Sequence, residues 1–189
     1  MRHRILSLSI LLPALCLLLA VPAFAHHLPP GLEEVDEFAD GASFLMGMNH
    51  PLSGLDHLLA ALLTGVVAAR FGKGGRVGVL AAATGGLFAG GLAAQLPAGE
   101  AMLLASVIAA AGIAFFRSAR ALQVGAGALV LFQMWHGNAH ATEAPLTVTR
   151  GYYLAGAGTA TLLTMILGLS LALLARRWMP ALQSEVQTA

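Results

Sequence analysis

The sequence predicts an all-α fold, a polytopic membrane helix bundle of about five transmembrane helices after a cleavable signal peptide. Three observations lead to this prediction: charge is scarce, apolar blocks recur, and basic residues lie on one side. The 189 residues are 58% hydrophobic and 10% charged, with a mean hydropathy of +0.79. A soluble domain carries about 25% charged residues, so we expect most of this chain to lie in a lipid bilayer. The net charge of +1 argues against a nucleic-acid partner.

The start of the chain, residues 1–25, is typical of an export signal. Arg2 and Arg4 precede a long apolar stretch, and the Ala-Phe-Ala of residues 23–25 fits a small-x-small cleavage site. The alternative is an uncleaved first helix. The single cysteine, Cys16, lies inside this signal. A mature chain without cysteine excludes disulfides, iron–sulfur clusters and thiolate metal ligands.

The next segment, residues 26–43, is acidic and too polar to cross a membrane, so we expect it in the periplasm. His26 and His27 stand at its start. They could collect metal beside the new amino terminus, or they could simply be solvated residues.

Five apolar blocks follow, and each is close to the roughly 20 residues that a helix needs to cross the hydrocarbon. They lie at 44–69, 77–96, 101–116, 121–139 and 152–175. The predicted organisation is therefore a signal at 1–25, the acidic segment at 26–43, a transmembrane bundle at 44–176 and a cytoplasmic tail at 177–189.

The basic residues predict the orientation of the bundle, because seven of them fall on alternate sides and therefore on one face. They are Arg70, Lys73, Arg76, Arg117, Arg120, Arg176 and Arg177. Among the connections on the other face, only Arg150 is basic. The positive-inside rule makes the basic face cytoplasmic. The mature N-terminus is then periplasmic, as a cleaved signal in the bacterial inner membrane requires.

Small residues recur at helical spacing within the apolar blocks, as in the pair Gly86 and Gly90. Such pairs let two helices approach closely in lipid. They are consistent with packing inside one bundle and equally with contacts between subunits of a homo-oligomer.

Most ionisable groups at membrane depth fall in two short segments, residues 50–57 and 136–143. The candidate metal-ligating side chains are His50, Asp56 and His57 in the first, and His136, His140 and Glu143 in the second. The predicted topology puts both segments at the periplasmic side. Charged groups at such positions are costly and are usually paired or functional.

Helical spacing sharpens this prediction. His136, His140 and Glu143 share one face of a helix if that helix continues to the end of the segment. Pro51 is tolerated in the first turn of a helix, so a span that begins near His50 would place the other two ligands of that segment about two turns inside.

Imidazole and carboxylate ligands together suit borderline divalent ions such as nickel, cobalt and zinc, and affinity alone does not separate these three. Magnesium and calcium prefer mostly oxygen. Cu(I) is disfavoured without thiolates, although Met46, Met48 and Met134 keep it open. Each histidine alone could be a packed residue, and Asp56 with His57 could be a structural pair. Two such clusters on one side favour a metal or proton role for the set.

Both segments resemble sequence motifs of one known protein family. Residues 50–60, read as His-Pro-x-x-Gly-x-Asp-His followed by Leu-Leu-Ala, resemble the signature of the HupE/UreJ family of nickel permeases and hydrogenase or urease accessory proteins. Residues 136–143 resemble its second motif, His-Gly-x-Ala-His-x-x-Glu. The first motif is also similar to the His-x4-Asp-His signature of nickel/cobalt transporters, with five residues in place of four. Three departures stand out, at Trp135 for Phe, Ala141 for Gly and Ala61 for Met.

The resemblance implies a secondary transporter or facilitator that imports nickel, or cobalt, from the periplasm. The ion would supply a metalloenzyme such as hydrogenase or urease, with its maturation proteins as partners. The implied transport residues are the six candidate ligands named above. The chain has no Gly-x4-Gly-Lys-Ser/Thr loop for ATP hydrolysis. The rival functions are an intramembrane metal-dependent hydrolase or oxidase, and a metal-binding sensor or delivery protein.

A transporter also needs an exit path, for which the sequence offers only uncharged polar candidates. They are Thr64, Gln123, Thr159, Thr161 and Thr164.

Overall fold

The computed structural model describes residues 40–97 and 99–178, and these residues form six helices and no strand. The helices are α1 (Asp40–Ser53), α2 (Leu55–Ala68), α3 (Lys73–Leu92), α4 (Gly99–Ile113), α5 (Ala119–Thr142) and α6 (Arg150–Trp178). The all-α prediction is confirmed for this part of the chain. The predicted signal peptide, His26, His27 and most of the predicted tail lie outside the described residues.

Two of these helices, α3 and α6, are long and apolar enough to cross a membrane, and the pair α1 and α2 makes a third candidate if it counts as one span. The helix α4 is apolar but has only 15 residues. The helix α5 has 24 residues and ends at Thr142, so it includes residues 136–142 of the polar segment, and Glu143 is its C-cap. The total of about five spans stays a prediction.

The first predicted span differs from the structure, because residues 44–69 do not form one helix. The chain bends by 81° between α1 and α2, at Gly54, whose backbone is extended (φ −86°, ψ 113°). Pro51, inside α1, removes one backbone donor and crowds the preceding turn. The Ser53 hydroxyl donates to the His50 carbonyl (2.9 Å) as the helix ends. His50 therefore lies in the last turn of α1, and Asp56 in the first turn of α2.

The helices α3 and α5 are in direct backbone contact through glycines. A Cβ atom on Gly90 would overlap the backbone carbonyl of Met134, and one on Gly137 would overlap that of Leu87. A residue larger than glycine at either position would have to push two backbones apart. The small-residue prediction around Gly86 and Gly90 thus corresponds to packing within this chain.

The long helix α6 contacts the two halves of the bent pair in the same way. In each case a glycine of one helix meets the backbone of the other, and the other helix contributes a glycine in return. The contacts are Gly47 with Tyr153 and Gly156 with Phe44 for α1, and Gly65 with Met165 and Gly168 with Leu62 for α2.

Basic side chains cover the ends of helices α2 and α4, opposite the end where the two motif segments lie. The Arg70 guanidinium donates to the carbonyls of Ala114 and Phe116. Arg176 donates to the carbonyl of Ala69 (2.9 Å). These bonds satisfy carbonyls that a helix C-terminus leaves without an intrahelical partner, and the positive charge suits the helix dipole there.

An apolar cluster fills the bundle between the motif segments and this basic end, and α2, α4 and α5 supply its buried members. These are Val67, Ala110, Ile113, Leu122, Ala126 and Leu129.

We predict that Gly137→Ala destabilises the protein, because the added methyl group has no space against the Leu87 backbone. Overpacking of this kind costs about 1–3 kcal/mol, so the melting temperature in detergent solution should fall. Gly127→Ala on the same helix is the matched control, since a Cβ there meets nothing within 4 Å. Equal melting temperatures for the two variants would contradict the backbone contact.

Candidate metal centre

Three helix ends meet at one end of the bundle and bring the two motif segments together. His50 comes from the end of α1, His57 from the first turn of α2, and His140 from the last turn of α5. One ligand nitrogen from each of these residues can be chosen so that all three lie within 4.8 Å of one another. The imidazole centroids of His57 and His140 are 4.6 Å apart, and that of His50 lies 5.3 and 5.0 Å from them.

These imidazoles are buried, and several of their nitrogens have no hydrogen-bond partner among the described residues. His140 is 1% exposed and His57 is 4% exposed. Both ring nitrogens of each lack a hydrogen bond within this part of the chain. A buried polar group without a partner is costly and is rare in folded proteins. A shared cation would bind one of these nitrogens from each ring, the one that carries the lone pair.

Two carboxylates stand at the edge of the histidine cluster. Asp56 Oδ2 lies 3.1 Å from His57 Nδ1, and Glu143 Oε2 lies 3.3 Å from His50 Nε2. Both pairs are at ion-pair distance, although neither is aligned as a hydrogen bond to the imidazole nitrogen. The two carboxylates are about a quarter exposed, at 28% and 24%. The cluster therefore presents negative charge on its more open side.

His136 belongs to the same constellation but has a different partner. Its ring centroid is 5.0 Å from that of His57, and its Nε2 is 2.7 Å from the Ser106 hydroxyl on α4. That hydroxyl donates its proton to the Leu103 carbonyl (2.6 Å). With that bond made, the hydroxyl accepts from Nε2–H of His136, and in this tautomer the Nδ1 lone pair is the atom available to a cation.

Two side chains of α5 form hydrogen bonds with the end of α3 and the α3–α4 connection, beside the cluster. The Asn138 amide donates to the carbonyls of Gly90 and Ala94, and its oxygen accepts from the backbone N–H of Leu96 (2.9 Å). Trp135 donates from Nε1 to the Pro97 carbonyl (3.0 Å). A phenylalanine at this position could not make that bond.

All six residues predicted from the sequence lie at this one site. Ser106, Asn138 and the fully buried Tyr153, whose ring centroid is 6.0 Å from that of His50, were not predicted. Serine and asparagine inside an apolar block are the only signals that could have pointed to the first two. The third, an aromatic residue in an apolar helix, is indistinguishable from a packing residue.

The arrangement can hold a divalent transition-metal ion. Three buried imidazoles supply borderline nitrogen ligands, the two carboxylates can neutralise the charge, and His136 can supply a fourth nitrogen. Ligand nitrogens within 4.8 Å of one another are close enough to form a candidate group for one ion. That these residues bind metal stays a prediction.

The comparisons with known proteins agree with the motifs. The family model described as HupE / UreJ protein matches residues 14–189. The curated relative Protein HupE of Rhizobium leguminosarum bv. viciae is 32% identical over 159 residues, which cover 82% of this chain and 78% of that protein. No solved structure matches the chain significantly. The family resemblance predicted from the two motifs is confirmed.

We predict that Ser106→Ala weakens nickel binding about tenfold, the lower end of the effect of removing a group that orients a metal-binding histidine. The substitution leaves Nε2–H of His136 without an acceptor in a buried position. Isothermal titration of the purified protein in detergent measures the change. Ser170→Ala is the control, because this exposed hydroxyl donates to a carbonyl of its own helix. Ser106→Thr keeps a hydroxyl and should restore most of the affinity; unchanged binding in Ser106→Ala would contradict the assigned role.

Proposed function

Because this chain belongs to the HupE/UreJ family, we propose that it is a permease for a divalent transition-metal ion. Nickel is the proposed cargo, with cobalt and then zinc as the next candidates. The ion would enter from the periplasm, cross the bacterial inner membrane and supply a cytoplasmic metalloenzyme such as hydrogenase or urease. The protein acts as a facilitator or secondary transporter and not as an enzyme.

The observation that carries this proposal is the cluster of His50, His57 and His140, buried and within 4.8 Å of one another. Buried imidazole nitrogens without hydrogen bonds are expensive in an apolar bundle. A cation that binds them recovers that cost. Nitrogen-rich ligation with flanking carboxylates selects nickel, cobalt or zinc over magnesium and calcium.

The residues would act in the order in which they lie from the open edge inward. Asp56 and Glu143, both partly exposed, attract the hydrated ion and offset its charge. The three clustered histidines then replace water molecules in its coordination shell. His136, held by Ser106, lies next to His57 and can take over one coordination position as the ion moves inward.

We predict that nickel-63 uptake by cells lacking their own nickel importers depends on this cluster. His57→Ala and His140→Ala should each lower uptake at least about tenfold relative to wild type, which corresponds to a loss of about 1.4 kcal/mol of ligand interaction. Membrane expression must be matched among the strains. Ser170→Ala is the control, since Ser170 is exposed on α6 and its hydroxyl donates to the Ile166 carbonyl of the same helix.

The uptake assay, together with measurements of metal binding and of substrate turnover, separates the permease from its rival functions. Wild-type cells that accumulate no more nickel than vector controls would refute nickel import, and cobalt-57 would then be tested in the same strain. Binding without accumulation of either ion would favour a sensor or delivery protein. Turnover of a peptide or lipid substrate would favour the hydrolase.

The proposed orientation of the bundle predicts the result of cysteine labelling in intact cells. With Cys16 replaced by serine, Gln95→Cys in the α3–α4 connection should react with a membrane-impermeant maleimide applied outside the inner membrane. Gly72→Cys lies at the basic end and should react only after lysis. Both positions are exposed. The reverse pattern would overturn the proposed direction of entry.

A further inference from the structure

Two buried polar side chains lie two helical turns inward of the histidine cluster, one on each of two helices that supply its histidines. Thr64 follows His57 by seven residues along α2, and Gln133 precedes His140 by seven residues along α5. Seven residues are two helical turns, about 10 Å along the axis, and return to the same face. Each of the two side chains therefore lies on the face of its helix that carries the histidine, about 10 Å further inward.

Both side chains are buried, and Gln133 is poorly satisfied. Thr64 is 1% exposed and Gln133 is 2% exposed. The Gln133 Oε1 atom is buried and has no hydrogen-bond partner among the described residues. The Thr64 hydroxyl donates to the Ala60 carbonyl of its own helix (2.7 Å), so its oxygen keeps lone pairs for a further partner.

The next turn inward on each helix is apolar. Val67 follows Thr64 by three residues, and Leu129 precedes Gln133 by four. Both are buried members of the apolar cluster. The polar pair therefore forms a layer between the histidines and this cluster, at the depth where a permeating ion would next need ligands.

We propose that the Gln133 amide oxygen and the Thr64 hydroxyl oxygen form a second, weaker cation station inward of the histidine cluster. The inference rests on the proposed permease function. Neutral oxygens bind a borderline cation less tightly than imidazoles do. An ion that keeps part of its water shell can therefore leave this station, and conduction requires such weak sites.

The inference is tested first by nickel titration of the full-length protein in detergent. Wild type should show a tight event and a second event that is at least about tenfold weaker, a gap of about 1.4 kcal/mol. Gln133→Leu should abolish the weak event and keep the tight one within about threefold. Thr64→Val should weaken the second event in the same direction. A single event in wild type, or a weak event that survives Gln133→Leu, would overturn the station.

The sequence offered Gln123 as an exit-path candidate, but the structure places it at an exposed position of α5, outside the buried path. Gln123→Leu, the same substitution on the same helix, is therefore the matched control. Nickel-63 uptake should fall about tenfold in Gln133→Leu and stay unchanged in Gln123→Leu. The melting temperature of Gln133→Leu should equal or exceed that of wild type, because the variant removes an unpaired buried oxygen. A large fall in melting temperature, or equal uptake in the two leucine variants, would assign Gln133 a structural role and overturn the inference.

The failure of this inference can be told apart from the failure of the proposed function. Absence of both nickel and cobalt uptake in wild type refutes the permease, whereas the station is judged by the weak nickel-binding event. Uptake by wild type together with equal uptake in both leucine variants keeps the permease and removes the station.

Discussion

The structure depends on direct contact between helix backbones at glycines. Helix α5 reaches α3 because Gly90 and Gly137 leave space for the opposing carbonyls, and α6 reaches α1 and α2 through matching glycines. Lipid provides no hydrophobic drive between helices, so these close contacts are a main source of attraction in the bundle. Gly137 lies in the sequence between His136 and His140. One short stretch of α5 thus supplies both the packing contact and two of the metal-ligand candidates, which ties the position of the ligands to the packing of the bundle.

The bend between α1 and α2 is the second feature on which the histidine cluster depends. In a straight helix His50 and His57 would be two turns apart, about 10 Å along the axis, which is too far for one ion to bind both. The 81° bend reduces the distance between their ring centroids to 5.3 Å. Pro51 and Gly54, the non-ligand residues of the first motif, lie at this bend. Their presence beside the ligands therefore has a geometric explanation: they let two histidines seven residues apart share one site.

The sequence was sufficient to predict the helical class and to select six ionisable residues that the structure brings to one site, because ionisable groups inside apolar blocks are rare. That these six residues bind metal stays a prediction. The sequence was not sufficient for the bend, since Pro51 is equally acceptable in the first turn of a straight span. Nor did it identify Gln133. Gln123 and Gln133 are both glutamines on the same helix. Only the packing of α5 against its neighbours buries Gln133 and leaves Gln123 exposed. Ser106 was missed for the same reason, because its role depends on the approach of α4 to His136.

The order of side chains along the bundle suits a permease better than a protein that only binds or delivers a metal ion. A site with three imidazoles and two carboxylates binds a divalent ion well, but a site that only binds well also retains its ion. Here the charged and nitrogen-rich layer is followed by one with only neutral oxygens, and then by the apolar cluster. In the proposed permease, affinity for the cation falls along this series, since each layer replaces fewer of the interactions that water provides. A binding or delivery protein has no need of the middle layer, because its ion can leave by the side from which it came. The buried Gln133 oxygen, which has no hydrogen-bond partner among the described residues, is therefore the feature of the interior that most directly supports the proposed movement of an ion through the bundle.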